Sequence, residues 1–543
     1  LDGSRVERFS NGQVNPFGLA FDRFGDLFSA DCHTKPVSLL LQDGYHESFG
    51  APHDGIGFVP GIMEHNHGST AICGIVLGSS TAFGESYADS AFGGNVTTCR
   101  INRNTLVRNG SSLRAREEPD FLVSGDPWFR PVYLQVGPDG ALYVADFYNK
   151  IIGHYEVPLG HPGRDRHRGR IWRISYRGSS SRRDVPASLQ RPAQGVLAKL
   201  STGELAREVG SELMARRVLA LDEIERRPVA EAARALRGRL SEGNGLGKAY
   251  VYRALGRLGA LSEADLVGAV SHPDAVVRLH AQRLLADTPL AGEKHLVWIL
   301  GGFKDPDPMV RRAAVQAASS RPGQGLVRPL LGLYHSTPGG DVHLRHCIRI
   351  ALRNHLRNTE WFRALGKEAL SGAEVDLLIS LCLALKNRGA GEYVITHLDR
   401  LASFPADRIG EYLRFATRYI PEDSIAGVVA FARERYRASR DSQGELVAFI
   451  RQGLEERGVA VPASVRGWVL DLAKDYLETG AAALAMQGRL ARQVAWDYVP
   501  HPEAPQQENP WQFSTRDSFR AQVRSASARE EAGRIGWTYV PYP

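Results

Sequence analysis

The chain is short of cysteine, methionine and long apolar runs, and each shortage closes off a class of protein. Its 543 residues include five cysteines and four methionines. The cysteines, Cys32, Cys73, Cys99, Cys347 and Cys382, form no C-x-x-C pair. That excludes a zinc ribbon and a C-x-x-C-H site for covalent haem. No apolar stretch approaches the roughly 18 residues of a membrane-spanning helix. Leu1 opens neither a basic nor an apolar leader region, so the expectation is a removed leader or a start inside a longer protein. The net charge of +7 is spread over separate basic helix faces. Without a continuous basic stripe, no nucleic-acid partner is expected. Asn95 and Asn109 fit the N-glycosylation pattern, which is short and often arises by chance.

Histidine is what the chain concentrates. Five of its seventeen, His33, His46, His53, His65 and His67, fall between Asp31 and Gly74. Asp31, Asp54 and Glu64 lie among them. Imidazole and carboxylate are the groups that ligate metals and move protons near neutral pH, so a reactive site is expected here.

The first part repeats itself. Residues 16–31 (PFGLAFDRFGDLFSAD) read against 131–146 (PVYLQVGPDGALYVAD) at an offset of 146 − 31 = 115. Each copy reads as a strand, a turn with glycine (Gly25, Gly140), and a second strand ending in Ala-Asp. A third unit is expected between them, with strands at Ala71–Val76, Phe92–Val96 and Thr98–Asn102. Units at this spacing suggest blades of a β-propeller. Three blades do not close a ring, and an open stack leaves an unpaired edge. The expectation is that further blades precede Leu1; a partner chain completing the ring is the alternative.

Beyond the linker-like GSSSRR at 178–183 the pattern turns helical. SHPDAVVR (271–278), KDPDPMVR (304–311) and GGDVHLR (339–345) recur. Asp274, Asp307 and Asp341 are spaced by 33 and 34, as are Arg278, Arg311 and Arg345. Each Asp is placed to cap a helix. Each Arg, four residues on, can reach that Asp or a neighbouring repeat. Stacked helix pairs of this kind make a HEAT-like α-solenoid. The expected organisation is a partial propeller over 1–176, a linker over 177–190, a solenoid over 191–495, and a Pro/Trp-rich tail or cut-off β module over 496–543.

Several runs carry a family likeness: NPFGLAFD (15–22), SADCHTKP (29–36), EHNHGSTAIC (64–73), DFYNKIIGHYEVP (146–158) and HPGRDRHRGRIWR (161–173). They resemble a bacterial membrane-bound dehydrogenase family. Its members join a glucose/sorbosone-dehydrogenase-like propeller to HEAT repeats and commonly end in a c-type haem module. The resemblance implies oxidation of a sugar or alcohol in the periplasm or another extracytoplasmic space. It also implies a quinone-type cofactor, pyrroloquinoline quinone with Ca2+, and electron transfer to a c-type cytochrome module or other acceptor. In that chemistry His33 or His67 is the base, His53, His65 and Arg164 bind the cofactor, and Asp54 and Glu64 stand at the cation. The alternative is a non-catalytic propeller and solenoid scaffold for protein or carbohydrate.

The repeat itself separates these residues. Asp31 recurs as Asp146, which favours a turn role. Cys32-His33 is replaced by Phe147-Tyr148 in the other copy, so His33 is an addition. His65 and His67 alternate and point the same way on an extended segment, with Glu64 opposite. Arg164, Arg166, Arg168 and Arg170 suit either an anion or a loop bonded to carboxylates and carbonyls. Cys347 and Cys382 read as packing residues.

Overall fold

The computed structural model describes residues 6–32, 35–78, 85–153, 157–175, 197–287 and 293–479. His33, the 177–190 linker and the 496–543 tail lie outside them. Three small antiparallel sheets come first. Sheet one holds β1 (Pro16–Phe21), β2 (Leu27–Asp31) and β3 (Val37–Leu40). Sheet two holds β4 (Ile72–Leu77), β5 (Ser90–Asn95), β6 (Arg100–Asn109) and β7 (Ser112–Val123). Sheet three holds β8 (Pro131–Val136), β9 (Leu142–Asp146) and β10 (Arg170–Ile174). Each is a meander of sequence-adjacent strands, and only the middle one has four strands among the described residues.

The register reproduces the repeat. Pro16 pairs with Asp31 and Pro131 with Asp146. All three opening strands break register at one place, between Phe17 and Leu19, Cys73 and Ile75, and Pro131 and Tyr133. β4 lies between β1 and β8, and the backbones nearly touch there. Gly74 has φ +67°, and a Cβ on it would stand 2.8 Å from the Tyr133 Cα. Only glycine meets both conditions. Val76, Phe92, Ile101, Leu134, Leu142 and Val144 fill the space between sheets two and three. Full burial of each such side chain contributes about 1.5–3 kcal/mol.

Helices follow from Thr202 to Arg457, and the chain divides into compact units Leu1–Ala460 and Val461–Pro543. Helices Ala275–Asp287, Pro308–Ser319 and Val342–Leu356 begin at the three recurrent motifs and pack side by side. The aspartates cap as expected. Asp274 accepts from Val276 N at 2.8 Å, Asp307 from Met309 N at 2.8 Å and Asp341 from Leu344 N at 3.2 Å. All three arginines return to carbonyls near their own turns, and Arg278 also crosses to Asp305 of the next motif. Cys347 and Cys382 are buried, consistent with packing. Among the described residues no helix is long and apolar enough to cross a membrane.

The sheets rest on these three helices. Phe24, in the β1–β2 turn, enters a cluster of Leu279, Met309, Val310 and Ala313. Buried Asp26 receives Arg283 and Arg312. Arg312 also donates to the Ser111 carbonyl at 2.7 Å. Asp341 accepts from Ser111 N at 3.0 Å and Ser111 Oγ at 2.6 Å, and Arg108 pairs with Asp307. Two helix-capping aspartates therefore also hold the β6–β7 hairpin tip.

Candidate functional site

Loop residues 41–71 join sheets one and two and carry most of the concentrated histidines. Their first half is held by backbone pairing. His46 N donates to Asn11 O at 2.8 Å and Asn11 N to Gly44 O at 3.0 Å. Gly12 permits this approach: its φ is +84°, and a Cβ there would lie 1.9 Å from the His46 carbonyl oxygen. Between this loop and sheet one is a cleft of about 400 Å³, whose lining includes Gln13, Asp31, His46, Phe58, Glu64 and Asn66. His46 is 8% exposed, and its Nε2 finds no hydrogen-bond partner among the described residues. Burial pushes its pKa down to about 4, against the opposing charge of Asp31. The imidazole is therefore neutral at pH 7 and beside a buried carboxylate.

Asp31 and Asp146 each fasten the chain just before their own first strand. Asp31 accepts from Val14 N at 2.9 Å. Asp146 accepts from Arg130 N at 2.8 Å and Tyr148 N at 2.9 Å, and binds Arg170 at 2.7 Å. Asp31 also lines the cleft.

The second half of the loop turns its imidazoles the other way. His65 Nε2 and His67 Nε2 both reach Asn104 Oδ1 on β6, at 2.7 and 3.2 Å. Their rings meet edge to face with centroids 4.9 Å apart. His67 Nδ1 lies 3.3 Å from Glu117 Oε1 on β7, which pairs with Asn104 across the hairpin. His65, His67 and Glu117 bring one ligand atom each within 4.8 Å of one another. Burial and His65 lower the His67 pKa, against Glu117. Asn102 lies beside them and bridges Asn95 (3.1 Å) and Asp120 (2.6 Å). Asn95 is fully buried in this network, which keeps the amide of its glycosylation motif from the surface.

The other expected residues are dispersed. Asp54, expected at a cation, binds Arg353 of helix Val342–Leu356. Glu64, expected beside it, is exposed and pairs with Arg114 at 3.2 Å. His53 accepts from Gly55 N at 3.0 Å with its ring edge on Phe58. Arg164 donates to the carbonyls of Gly153 and Val157 at 2.9 and 3.0 Å. Each of these residues is engaged with a different neighbour. Calcium does not suit the imidazole cluster: Ca2+ takes six to eight oxygens, and the cluster offers two nitrogens and one carboxylate. His46 is visible in the sequence but has no motif to mark it. Asn104 and Glu117 have no local signal, since they reach the histidines only through the fold.

A family described as a domain of unknown function, DUF7133, matches residues 1–178. No curated protein matches the chain. Among solved structures, the chain is similar to an oxidoreductase (glucose dehydrogenase) from Thermus thermophilus. The identity is 23% and the TM-score 0.23, over 32% of this chain and 49% of that one. Two further structures titled glucose dehydrogenase match at 21% and 19% identity, with TM-scores of 0.20 and 0.19. Each match covers 27% of this chain, and 41% and 45% of theirs. The chain thus spans less than half the length of the solved relatives it matches. At such scores the likeness decides neither substrate nor cofactor.

Proposed function

We propose that the cleft beside His46 binds a hydroxylated substrate, a sugar or an alcohol, and that the chain serves an extracytoplasmic dehydrogenase built from propeller blades and HEAT-like repeats. One observation carries this reading: a buried imidazole, held neutral, lines a cleft of about 400 Å³ beside the Asp31 carboxylate, its Nε2 without a hydrogen-bond partner among the described residues. That volume lies in the range of small-molecule sites. The substrate hydroxyl donates its proton to His46 Nε2, and the nearby Asp31 charge steadies the imidazolium that forms. Gln13, Glu64 and Asn66 offer hydrogen bonds to further hydroxyls. A quinone-class acceptor and a c-type haem module are implied by the family resemblance alone. The residues expected to hold the quinone each bond a different neighbour, and the chemistry derived for this chain stops at the proton transfer.

The test is turnover of sugars and alcohols by the purified chain with an artificial electron-accepting dye. His46→Gln should lower the rate at least about 100-fold, the low end for general-base catalysis, with the circular-dichroism spectrum unchanged. Equal rates in the variant, or no turnover with any substrate, would overturn the reading. A non-catalytic scaffold, favoured by the use of Asp26 and Asp54 to dock the sheets on the helices, would bind sugar and reduce no dye.

A further inference from the structure

We propose that His65, His67 and Glu117 form a binding site for one divalent transition-metal ion of the zinc class. The site shares its loop with the cleft but needs none of the oxidation chemistry proposed there. The distances separate metal ligands from hydrogen-bond partners. His65 Nε2 and Asn104 Oδ1 are 2.7 Å apart, a hydrogen-bond distance too short for two ligands of one metal. With both Nε2 atoms donating to Asn104, each Nδ1 carries a lone pair. His67 Nδ1 then faces Glu117 Oε1 at 3.3 Å, acceptor against acceptor. A charge-assisted hydrogen bond would draw this pair to roughly 2.7–2.9 Å. Two ligands about 2.0–2.1 Å from a tetrahedral zinc stand roughly 3.3 Å apart.

A metal ion between the two acceptors relieves the contact. Asn104 then has the part usual behind a metal site, accepting the remaining ring N–H and fixing which nitrogen faces the ion. Its own placement is firm: it is 2% exposed on β6, directly across from Glu117. Nitrogen donors select zinc and its first-row neighbours over calcium and magnesium. Three protein ligands leave a fourth position for a solvent or substrate oxygen.

The experiment is titration of the chelator-treated, full 543-residue chain with Zn2+, Co2+ and Ca2+, by calorimetry and by metal analysis after dialysis. One equivalent of Zn2+ should bind, Co2+ should give a tetrahedral visible spectrum, and Ca2+ should not compete. Glu117→Gln, at a half-exposed position, and Asn104→Ala should each lower zinc affinity at least tenfold. His65→Ala combined with His67→Ala should abolish binding. Absence of stoichiometric zinc, undiminished affinity in Glu117→Gln, or preference for calcium would overturn the proposal. Dye reduction reads the oxidation proposal separately. Zinc binding without turnover removes only that proposal, and turnover without zinc binding removes only this one.

Discussion

Asp26 and Arg312, 286 positions apart, meet as a buried ion pair, the carboxylate 3% and the guanidinium 1% exposed. One residue is in a sheet turn and the other in a helix, so this pair stitches two kinds of structure together. Arg312→Met should destabilise the chain by up to about 3–5 kcal/mol, because it leaves the buried Asp26 carboxylate with Arg283 alone. Asp26→Leu with Arg312→Met should recover only part of that loss, since Arg283 then loses its carboxylate. Urea denaturation of the single and double variants measures both.

Asp22 sits behind this pair with its pKa raised to about 8, by burial first and by Asp26 second. Its folded form prefers the proton. From about pH 4 to pH 8 the unfolded chain ionises Asp22 and the folded chain does not, so this group's contribution to stability falls with rising pH. Asp22→Asn keeps an oxygen for the Phe24 and Asp26 amides and removes the titration. The variant should gain stability relative to the parent as pH rises from 4 to 8. At about 1.36 kcal/mol per pKa unit, the gain near neutrality is on the order of a few kcal/mol. Denaturation midpoints at pH 5 and pH 7.5 provide the comparison.

Four buried imidazoles act in the opposite direction. His46 and His343 are pushed down to about 4, and His280 and His346 to about 3, chiefly by burial. His280 and His343 also bind carbonyls of the sheet region, Arg23 O at 3.0 Å and Pro60 O at 2.9 Å. Below about pH 6.5 the unfolded chain takes up protons that the folded chain refuses. Stability should therefore decline as pH falls from about 6.5 toward 4, by up to about 1.4 kcal/mol per histidine per unit. His343→Gln should make that decline shallower. A slope that stays unchanged in this variant would refute the assignment.

Asp54 and Glu64 are predicted to behave differently, although both belong to the acid-and-histidine loop. Asp54→Asn leaves Arg353, whose side chain is 5% exposed, without its carboxylate and should cost about 3–5 kcal/mol. Glu64→Ala removes an exposed pair and should change stability by less than about 1 kcal/mol. Neither should alter metal content, which emission spectrometry on the purified variants would measure.

The local half of this molecule is legible in its sequence. The offset of 115 anticipates β1, β2, β8 and β9, because strand alternation and turn glycines are local signals. Asp274, Asp307 and Asp341 are recognisable as caps for the same reason. The comparison of repeats also holds a quieter clue. Asp22 and Asp26 stand where the second copy has Gly137 and Ala141, so neither acid is needed by the repeat. Both lie where the sheets meet the helices. Asp54 looks like a ligand in the sequence because its true partner, Arg353, is 299 residues away and announces itself by no motif. Glu117 and Asn104 are hidden for a related reason. They meet His67 only once β6 and β7 have paired and the loop has folded across them.

The β6–β7 hairpin is held at both ends, by β5 at its base and by the helices at its tip. Arg108 and Ser111 fix its tip to Asp307 and Asp341. Asn104 and Glu117 lie about five residues back along its two strands, roughly 15 Å from the tip at strand rise. The two strands thus join the helix anchors and the imidazole cluster through one continuous, paired stretch of backbone.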